Sequence, residues 1–266
     1  MTPNIKFDAP LAITHIGTAT AIIHVDGINL LTDPVFTPAG TEWDWGITVL
    51  KHLDAPAMKL EDLPDIDAVL LSHEDHPDNL DEPGRAALEG RPVLTTGDGA
   101  RNLGPRSDVR ALKPWETLPL EVGGKRFEVT GTPCEHLPGG EVTGFIVTAP
   151  SFGSTDGKPN AIYFSGDTIY LPELIQMKKR FHISVALLNI GKATAPLPTG
   201  PLVITMDGVE AARLFRELEA DVLVPMHFDS WAHFAEKRDA LATALEKEGV
   251  MDQVRWLEPG VKTTLA

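Results

Sequence analysis

The sequence contains a single cysteine, Cys134, in 266 residues. One thiol cannot form a disulfide within the chain, which fits a reducing compartment. The N-terminal residues 1–6 (MTPNIK) lack a basic stretch followed by an apolar core, so they do not resemble a secretory signal. No apolar run approaches the roughly 20 residues that a membrane helix needs. We therefore expect a cytoplasmic protein with no membrane partner.

Positive charge is also scarce. The chain has 23 Lys and Arg against 38 Asp and Glu, which gives a formal charge of −15. Such a surface repels phosphate backbones, so we expect no nucleic-acid partner. The hydrophobic content of 42% is ordinary for a soluble globular protein. A small-molecule substrate is the expected partner, and a homo-oligomer is left open.

Short apolar runs separated by Gly, Pro and Asp predict a strand-rich chain. No internal repeat or low-complexity segment appears, and two strand-rich halves each end in helices. This pattern suggests two sheets packed face to face with helices outside. Strands are predicted at 11–13, 21–25, 28–31, 68–71, 93–95, 118–122, 126–130, 142–147 and 161–164. Helices are predicted around 85–88 and over 206–218 and 233–248, and residues 36–64 are predicted to be a long ordered loop.

Potential metal ligands follow four of the apolar runs. Residues 70–79 (LLSHEDHPDN) place two imidazoles and several carboxylates directly after one run. Later runs end shortly before His136, Asp167 and His227. Strands of one sheet bring their ends together, and imidazole and carboxylate are the usual ligands of a hydrolytic zinc ion. The sequence therefore predicts a catalytic metal site.

These residues resemble the metallo-β-lactamase superfamily. Its motif, His-x-His-x-Asp-His after a strand, is followed by a His, an Asp in a Ser-Gly-Asp turn and a C-terminal His. Residues 30–36 (LLTDPVF), 165–168 (SGDT) and 224–227 (VPMH) resemble further family signatures. The branch most resembled contains ascorbate-phosphate lactonases and N-acylphosphatidylethanolamine-hydrolysing phospholipases. The resemblance, which covers nearly the whole chain, implies a four-layer αββα sandwich of two packed mixed sheets. Residues 1–266 would form one such domain.

The first motif departs from the family pattern. Glu74 and Asp75 both lie between His73 and His76, where the family has one residue, and Asn79 stands in the place of the third histidine. Asn79 offers a neutral carbonyl oxygen, which is a poorer zinc ligand than imidazole. It could also cap the following helix. In an alternative register, Asp75 replaces the second histidine.

Carried over residue by residue, the resemblance implies two groups of metal ligands. The first group is His73, His76 and His136, and the second is Asp78, Asp167 and His227, with Asp167 bridging. Because of Asn79, the second site is expected to be weaker or empty. The expected cofactor is Zn²⁺, as one or two ions, with Mn²⁺ or Fe²⁺ as alternatives.

A metal ion with an open position lowers the pKa of bound water to about 7 and polarises a carbonyl or phosphoryl oxygen. Asp78, if it is not a ligand, could orient the attacking group or carry a proton, and His233 is a candidate proton donor. Carboxylates normally orient ligand histidines. The candidates for that role are Asp33, Glu74 and Asp75.

Several other residues have structural and functional interpretations. We interpret His24, His52 and His182 as structural or surface residues, while His15 could reach the site. Cys134 is interpreted as a small buried thiol rather than a thiolate ligand. Aromatic side chains could line a substrate pocket or only pack the loops that carry them. These are Phe36, Trp43, Trp45 and Trp231.

The sequence supports a metal-dependent hydrolase of small esters, lactones or lactams. The acidic surface disfavours a highly phosphorylated substrate. A phosphodiesterase is the alternative in the same fold, and it would use two metals about 4 Å apart. Two further hypotheses are a non-catalytic metal-binding protein and an iron-dependent redox enzyme.

Overall fold

Two mixed β-sheets, packed face to face, form the centre of the protein. The computed structural model describes residues 5–46, 48–106 and 108–266. Residues 1–4, part of the segment analysed above for a secretory signal, lie outside the described residues. None of the described helices is long and apolar enough to cross a membrane.

The first sheet contains strands from the N-terminal half and one from the C-terminus. Its strands are β1 (Leu11–Gly17), β2 (Thr20–Val25), β3 (Ile28–Thr32), β6 (Ala68–Leu70), β7 (Val93–Thr95), β8 (Val109–Ala111) and β18 (Lys262–Thr264). The spatial order is β18-β1-β2-β3-β6-β7-β8. Strands β3, β6, β7 and β8 run parallel, whereas β18, β1, β2 and β3 alternate in direction.

The second sheet is built from the middle and C-terminal parts of the chain. Its strands are β9 (Thr117–Val122), β10 (Lys125–Thr132), β11 (Gly144–Thr148), β12 (Ser154–Thr155), β13 (Lys158–Phe164), β14 (His182–Asn189) and β17 (Val222–Met226). The order is β17-β14-β13-β11-β10-β9, with β12 paired to β13. Strands β13, β14 and β17 are parallel, so their carboxyl ends lie at one edge.

Outside these two sheets, the described residues form two further hairpins and five α-helices. The hairpins are β4 (Glu42–Asp44) with β5 (Val49–Lys51), and β15 (Thr194–Leu197) with β16 (Gly200–Val203). The helices are α1 (Glu82–Ala86), α2 (Gly97–Asn102), α3 (Met177–Arg180), α4 (Gly208–Leu218) and α5 (Arg238–Lys247). Short 3₁₀ helices cover Leu60–Asp62, Pro150–Phe152, Pro172–Gln176 and Met251–Gln253.

Alternation along the strands divides the apolar side chains between two faces. In β13, Ile162 and Phe164 enter the core between the sheets, whereas Ala161 and Tyr163 face helices α3 to α5. The outer face of the first sheet packs against Leu80, Ala87, Leu88 and Leu103, which flank helices α1 and α2. The layers are therefore helix, sheet, sheet, helix, and the predicted αββα sandwich is confirmed.

The observed secondary structure differs from the prediction at several elements, which include the unpredicted strands β8, β15, β16 and β18 and helix α2. Residues 36–64 contain the hairpin β4–β5 rather than only a loop. Strand β14 was missed, and His182 begins this strand rather than lying in a basic turn. Helix α5 begins at Arg238 instead of residue 233. Phe234 is buried beside β15, and the N–H groups of residues 235 and 236 donate to the carbonyls of residues 192 and 191. These contacts hold the segment in a non-helical conformation.

Candidate metal centre

Six His and Asp side chains meet where strands of both sheets end. The loop after β6 supplies His73, His76 and Asp78 from the first sheet. The second sheet supplies the others, after β10, β13 and β17 respectively: His136, Asp167 and His227. The side chains form two groups, His73–His76–His136 and Asp78–Asp167–His227, and within each group the potential ligand atoms lie within 4.8 Å of one another.

The first group consists of three imidazoles packed ring against ring. The ring centroid of His73 lies 4.6 Å from that of His76 and 5.4 Å from that of His136. His76 Nδ1 is 3.2 Å from His136 Nε2. Burial is the main reason why the pKa values of His73 and His136 are lowered, and the neighbouring imidazoles lower them further. Neutral imidazole, the form that binds metal, is therefore favoured.

Hydrogen bonds on the far side of the rings fix which nitrogen faces the centre. Ser72 Oγ donates to Asp33, so it accepts from His73 Nδ1 at 2.8 Å. His136 Nδ1 donates to the carbonyl of Ile204 at 2.6 Å, and His227 Nδ1 lies 3.4 Å from the Ile190 carbonyl. In each of these three histidines Nε2 therefore faces the centre, an arrangement typical of metal-ligating histidines.

The second group places two carboxylates around His227. Its Nε2 lies 3.2 Å from Asp167 Oδ2 and 3.4 Å from Asp78 Oδ2. Burial would lower the pKa of His227, but the charges of Asp167 and Asp78 raise it to about 10. Burial would raise the pKa of either carboxyl, but His227 holds both below their ordinary range. The group is thus built around positive charge, which a proton or a metal ion can supply.

The residues fit divalent metal ions. The Nε2 atoms of His73 and His227 are buried and have no hydrogen-bond partner. Such orphaned acceptors are uncommon in protein interiors unless a further ligand engages them. Nitrogen and carboxylate oxygen together are the donor set of hydrolytic zinc sites. Asp167 Oδ2 also lies 3.9 Å from His136 Nε2, so this carboxylate stands between the two groups.

Asp33 orients the loop that carries the first ligands. Its buried carboxylate accepts from Ser72 N and Ser72 Oγ, both at 2.7 Å, and from Asn79 Nδ2 at 3.1 Å. Through Ser72 it fixes the ring of His73. The placement agrees with the orienting role for which Asp33 was a candidate.

The other two candidates for that role lie elsewhere. Glu74 Oε1 accepts from Asn102 Nδ2, and Asp75 is exposed. Neither belongs to the ligand groups found among the described residues. The alternative register, with Asp75 as a ligand, is therefore wrong, because the extra residue is looped outwards and His76 turns inwards.

Asn79 is not a helix cap. Helix α1 is capped by Asp81, whose side chain accepts from Gly84 N at 2.6 Å. Asn79 is fully buried, and its amide nitrogen donates to Asp33, which leaves its Oδ1 buried without a hydrogen-bond partner. Capping is thus excluded, and ligation by Oδ1 stays a prediction.

Asn189, at the end of β14, was missed by sequence reasoning. Its Nδ2 donates to Asp167 Oδ1 at 2.7 Å and holds that carboxylate, while its N–H donates to Ser165 Oγ at 2.8 Å. A signal was available in the sequence: Asn189 ends an apolar run, and the strands before and after this run also end in candidate ligands. The run was not predicted to be a strand, so the signal was not used.

Backbone strain concentrates at the same residues. Asp33 and His227 have φ angles of 31° and 62°, a region that side chains other than glycine rarely adopt. Gly166, beside Asp167, has φ 58°, and a Cβ there would lie 2.6 Å from the carbonyl oxygen of Thr143. Only glycine fits this close turn, which presents Asp167 to the centre.

The centre opens into a cavity of about 350 Å³. His76, Asp78, His136 and Asp167 form part of its lining, and so does His233. His233 Nε2 lies 3.3 Å from Asp78 Oδ2, and its Nδ1 is buried without a partner. The structure therefore brings this candidate proton donor to the ligand groups.

Other residues considered above lie outside the two groups. His15 Nε2 bonds to the carbonyl of Thr18 rather than entering the centre. Cys134 Sγ lies 3.4 Å from the Ser165 carbonyl, and burial raises the pKa of this thiol to about 12, so it stays protonated. His52 stacks on Trp231, whose Nε1 donates to Thr18 Oγ1. The remaining two histidines bond to neighbours of the same sheets: His24 to Thr14 and Asn29, and His182 to Asp221.

Comparisons with known proteins agree with this geometry. Residues 28–228 match the family model described as the Beta-lactamase superfamily domain, a range that contains both ligand groups. A protein of Mycobacterium tuberculosis is 29% identical over 264 residues, covering 93% of this chain and 68% of its own. A UPF0173 metal-dependent hydrolase of Methanopyrus kandleri is 25% identical over 269 residues, covering 94% and 98%. The isothiocyanate hydrolase from Delia radicum gut bacteria superposes with a TM-score of 0.75 at 23% identity, over 96% and 99% of the two chains.

Proposed function

The chain belongs to the metallo-β-lactamase superfamily of metal-dependent hydrolases, and we propose that it hydrolyses a small-molecule ester, lactone or lactam. The observation that carries the proposal is the convergence of the two ligand groups at the bottom of one cavity. The resemblance of the chain to the superfamily branch that contains lactonases favours a cyclic or open ester.

The chemistry that a bound divalent ion supplies at such a site is an activated water and a polarised carbonyl. His73, His76 and His136 would hold one ion, and Asp78 and His227 would hold a second, with Asp167 shared between them. Zn²⁺ is the ion we propose first, because the donor set combines imidazole nitrogen with carboxylate oxygen. His73, His76 and His136 are neutral ligands, so Asp167 is the only carboxylate of the two groups that would offset the charge of an ion held by them.

We assign the proton donor to His233. Its ring lines the cavity, only 16% of its side chain is exposed, and its Nε2 faces the carboxylate of Asp78. A carboxylate that bonds to one nitrogen of an imidazole orients the ring. His233 can therefore deliver a proton to the departing alcohol or amine, and Asp78 positions it for that step.

Elemental analysis of the purified protein, together with a panel of lactones, lactams, thioesters, isothiocyanates and phosphodiesters, tests the proposal. We expect bound metal and turnover of a lactone or ester. His136→Ala should lose both, and His24→Ala is the matched control because His24 lies away from the centre. A metal-loaded protein that turns over no member of the panel would instead support a non-catalytic metal-binding protein.

His233→Gln tests the proton donor separately. General acid catalysis contributes roughly 10²–10⁴-fold, so kcat on alkyl esters should fall by at least about 100-fold while metal content stays unchanged. With p-nitrophenyl esters, whose leaving group needs no proton, the loss should shrink to a few-fold. An equal loss with both leaving groups would show that His233 has only a structural role.

A further inference from the structure

The cavity above the metal centre lies between two hairpins that extend from the sheets. Hairpin β4–β5 contributes Trp45, Thr48 and Leu50, and hairpin β15–β16 contributes residues 194–196. The volume of about 350 Å³ includes the open mouth and solvent. The enclosed space is about 20 Å³, room for about one water molecule, so only a small part of a substrate fits beside the metal centre.

The walls of this cavity are apolar. Trp45 packs edge-on against His76, with ring centroids 4.7 Å apart and planes at 87°, so its ring borders the ligand group directly. Leu50, Ala195 and Ile204 are buried and continue the wall. Apolar walls around a few polar groups are typical of sites that bind an apolar substrate part.

The charges at the cavity are those of the metal centre. Among the described residues that line it, the ionisable ones are His76, Asp78, His136, Asp167 and His233, and none is Lys or Arg. The neighbouring basic side chains are engaged elsewhere. Lys192 Nζ lies 3.3 Å from Asp207, and Lys237 Nζ donates to the Trp231 carbonyl at 2.6 Å.

A second anionic group of the substrate, bound against these walls and away from the metal ions, would lose its water without gaining a cationic side chain. Desolvating an unpaired charge is far more costly than desolvating a methyl group. The formal charge of −15 adds long-range repulsion. A neutral apolar group meets none of these costs and gains from contact with Trp45 and Leu50.

We infer that the substrate is a neutral molecule whose non-reacting part is small and apolar, and that the two hairpins select against substrates with a second anionic group. The inference rests on the hydrolase function proposed above and specifies its substrate class. It places carboxylate-bearing lactams and phosphorylated lactones outside that class.

A matched pair of esters tests the inference on the metal-loaded protein. p-Nitrophenyl butyrate and p-nitrophenyl hemisuccinate have the same acyl length and differ in a terminal methyl or carboxylate. We expect kcat/KM for the neutral ester to be at least 100-fold higher. Equal values, or a preference for the anionic ester, would overturn the inference while leaving the hydrolase function intact.

Thr194 offers a matched pair of variants. It lines the cavity from β15 and is partly exposed, so a longer side chain can extend from it towards the mouth. Thr194→Lys should reduce the preference for the neutral ester at least tenfold by supplying the missing cation, whereas Thr194→Gln should leave the preference unchanged. An equal effect of both variants would show that size rather than charge controls selection.

If neither ester is cleaved and the wider panel is also not hydrolysed, the proposed function fails. The preference of the cavity for neutral ligands can then still be tested by binding. Ligand-observed NMR would then compare butyramide with succinamate, which again differ in a methyl or carboxylate. Preferential binding of butyramide would uphold the assignment of the cavity, and equal binding would overturn it.

Discussion

Replacement of Asp33 by Asn should change how the stability of the metal-free protein depends on pH. Asp33 is 0% exposed and accepts three hydrogen bonds from Ser72 and Asn79. Burial raises the pKa of Asp33 from 3.8 to about 7, with a further contribution from the charge of Asp167, although the hydrogen bonds act in the opposite direction. Between these two pH values the folded protein keeps a proton that the unfolded chain has released.

The sign and size of the effect follow from this difference. A pKa that is higher in the folded state contributes stability that is fully present below about pH 4 and is lost as the pH rises through about 7. One pKa unit corresponds to about 1.4 kcal/mol, so the loss has an upper limit of about 4 kcal/mol. The amide introduced by Asp33→Asn does not titrate. At pH 4.5 the variant should have a free energy of unfolding about 1–3 kcal/mol lower than the wild type, because one hydrogen-bond acceptor is lost. Towards pH 8 this difference should shrink, because only the wild type loses stability through residue 33.

Urea unfolding of the chelator-treated wild type and variant at pH 4.5, 6 and 8 measures this shift. Other groups titrate equally in both proteins, so the difference between their free energies of unfolding isolates Asp33. Asp62→Asn, at an exposed position, is the control and should show no such trend. A difference that stays constant within about 0.5 kcal/mol across the range would refute the argument. With zinc added, the cation should weaken the trend by lowering the pKa of Asp33.

Three further predictions concern neighbours of the ligands. Gly166→Ala should destabilise the protein by at least about 2 kcal/mol in thermal unfolding, because the new methyl group would meet the Thr143 carbonyl at a strained φ. Asn189→Leu should weaken binding of the second ion about 10–100-fold in calorimetric titration, since it frees Asp167 Oδ1. Asn79→His should tighten the second site in elemental analysis, and unchanged metal stoichiometry would mean that residue 79 does not face an ion.

The convergence of the candidate ligands could be predicted because the apolar runs that form strands are visible in the sequence. Each of His136, Asp167 and His227 follows an apolar run, and strand ends that share a sheet edge must converge. The same logic predicted the two packed sheets. The choice between Asp75 and His76 needed the structure, because only the outward turn of the loop decides which side chain is buried.

Features that depend on distant pairing could not be predicted in this way. The role of Asn189 follows from the parallel pairing of β14 with β13, which the sequence does not specify. The start of α5 depends on burial of Phe234 beside β15, and this contact outweighs helical spacing. The single domain stays a prediction that rests on the family resemblance. The cytoplasmic location and the expected partners stay predictions that rest mainly on composition and charge.

Because the first sheet contributes His73, His76 and Asp78 and the second contributes His136, Asp167 and His227, an ion at this centre would fasten the two halves of the sandwich to each other. The resulting stabilisation would depend on the concentration of the free metal ion. A free ion at a thousand times its dissociation constant adds about 4 kcal/mol to the free energy of unfolding. Loss of the metal would therefore remove activity and also leave the chain less stable and more open to proteolysis.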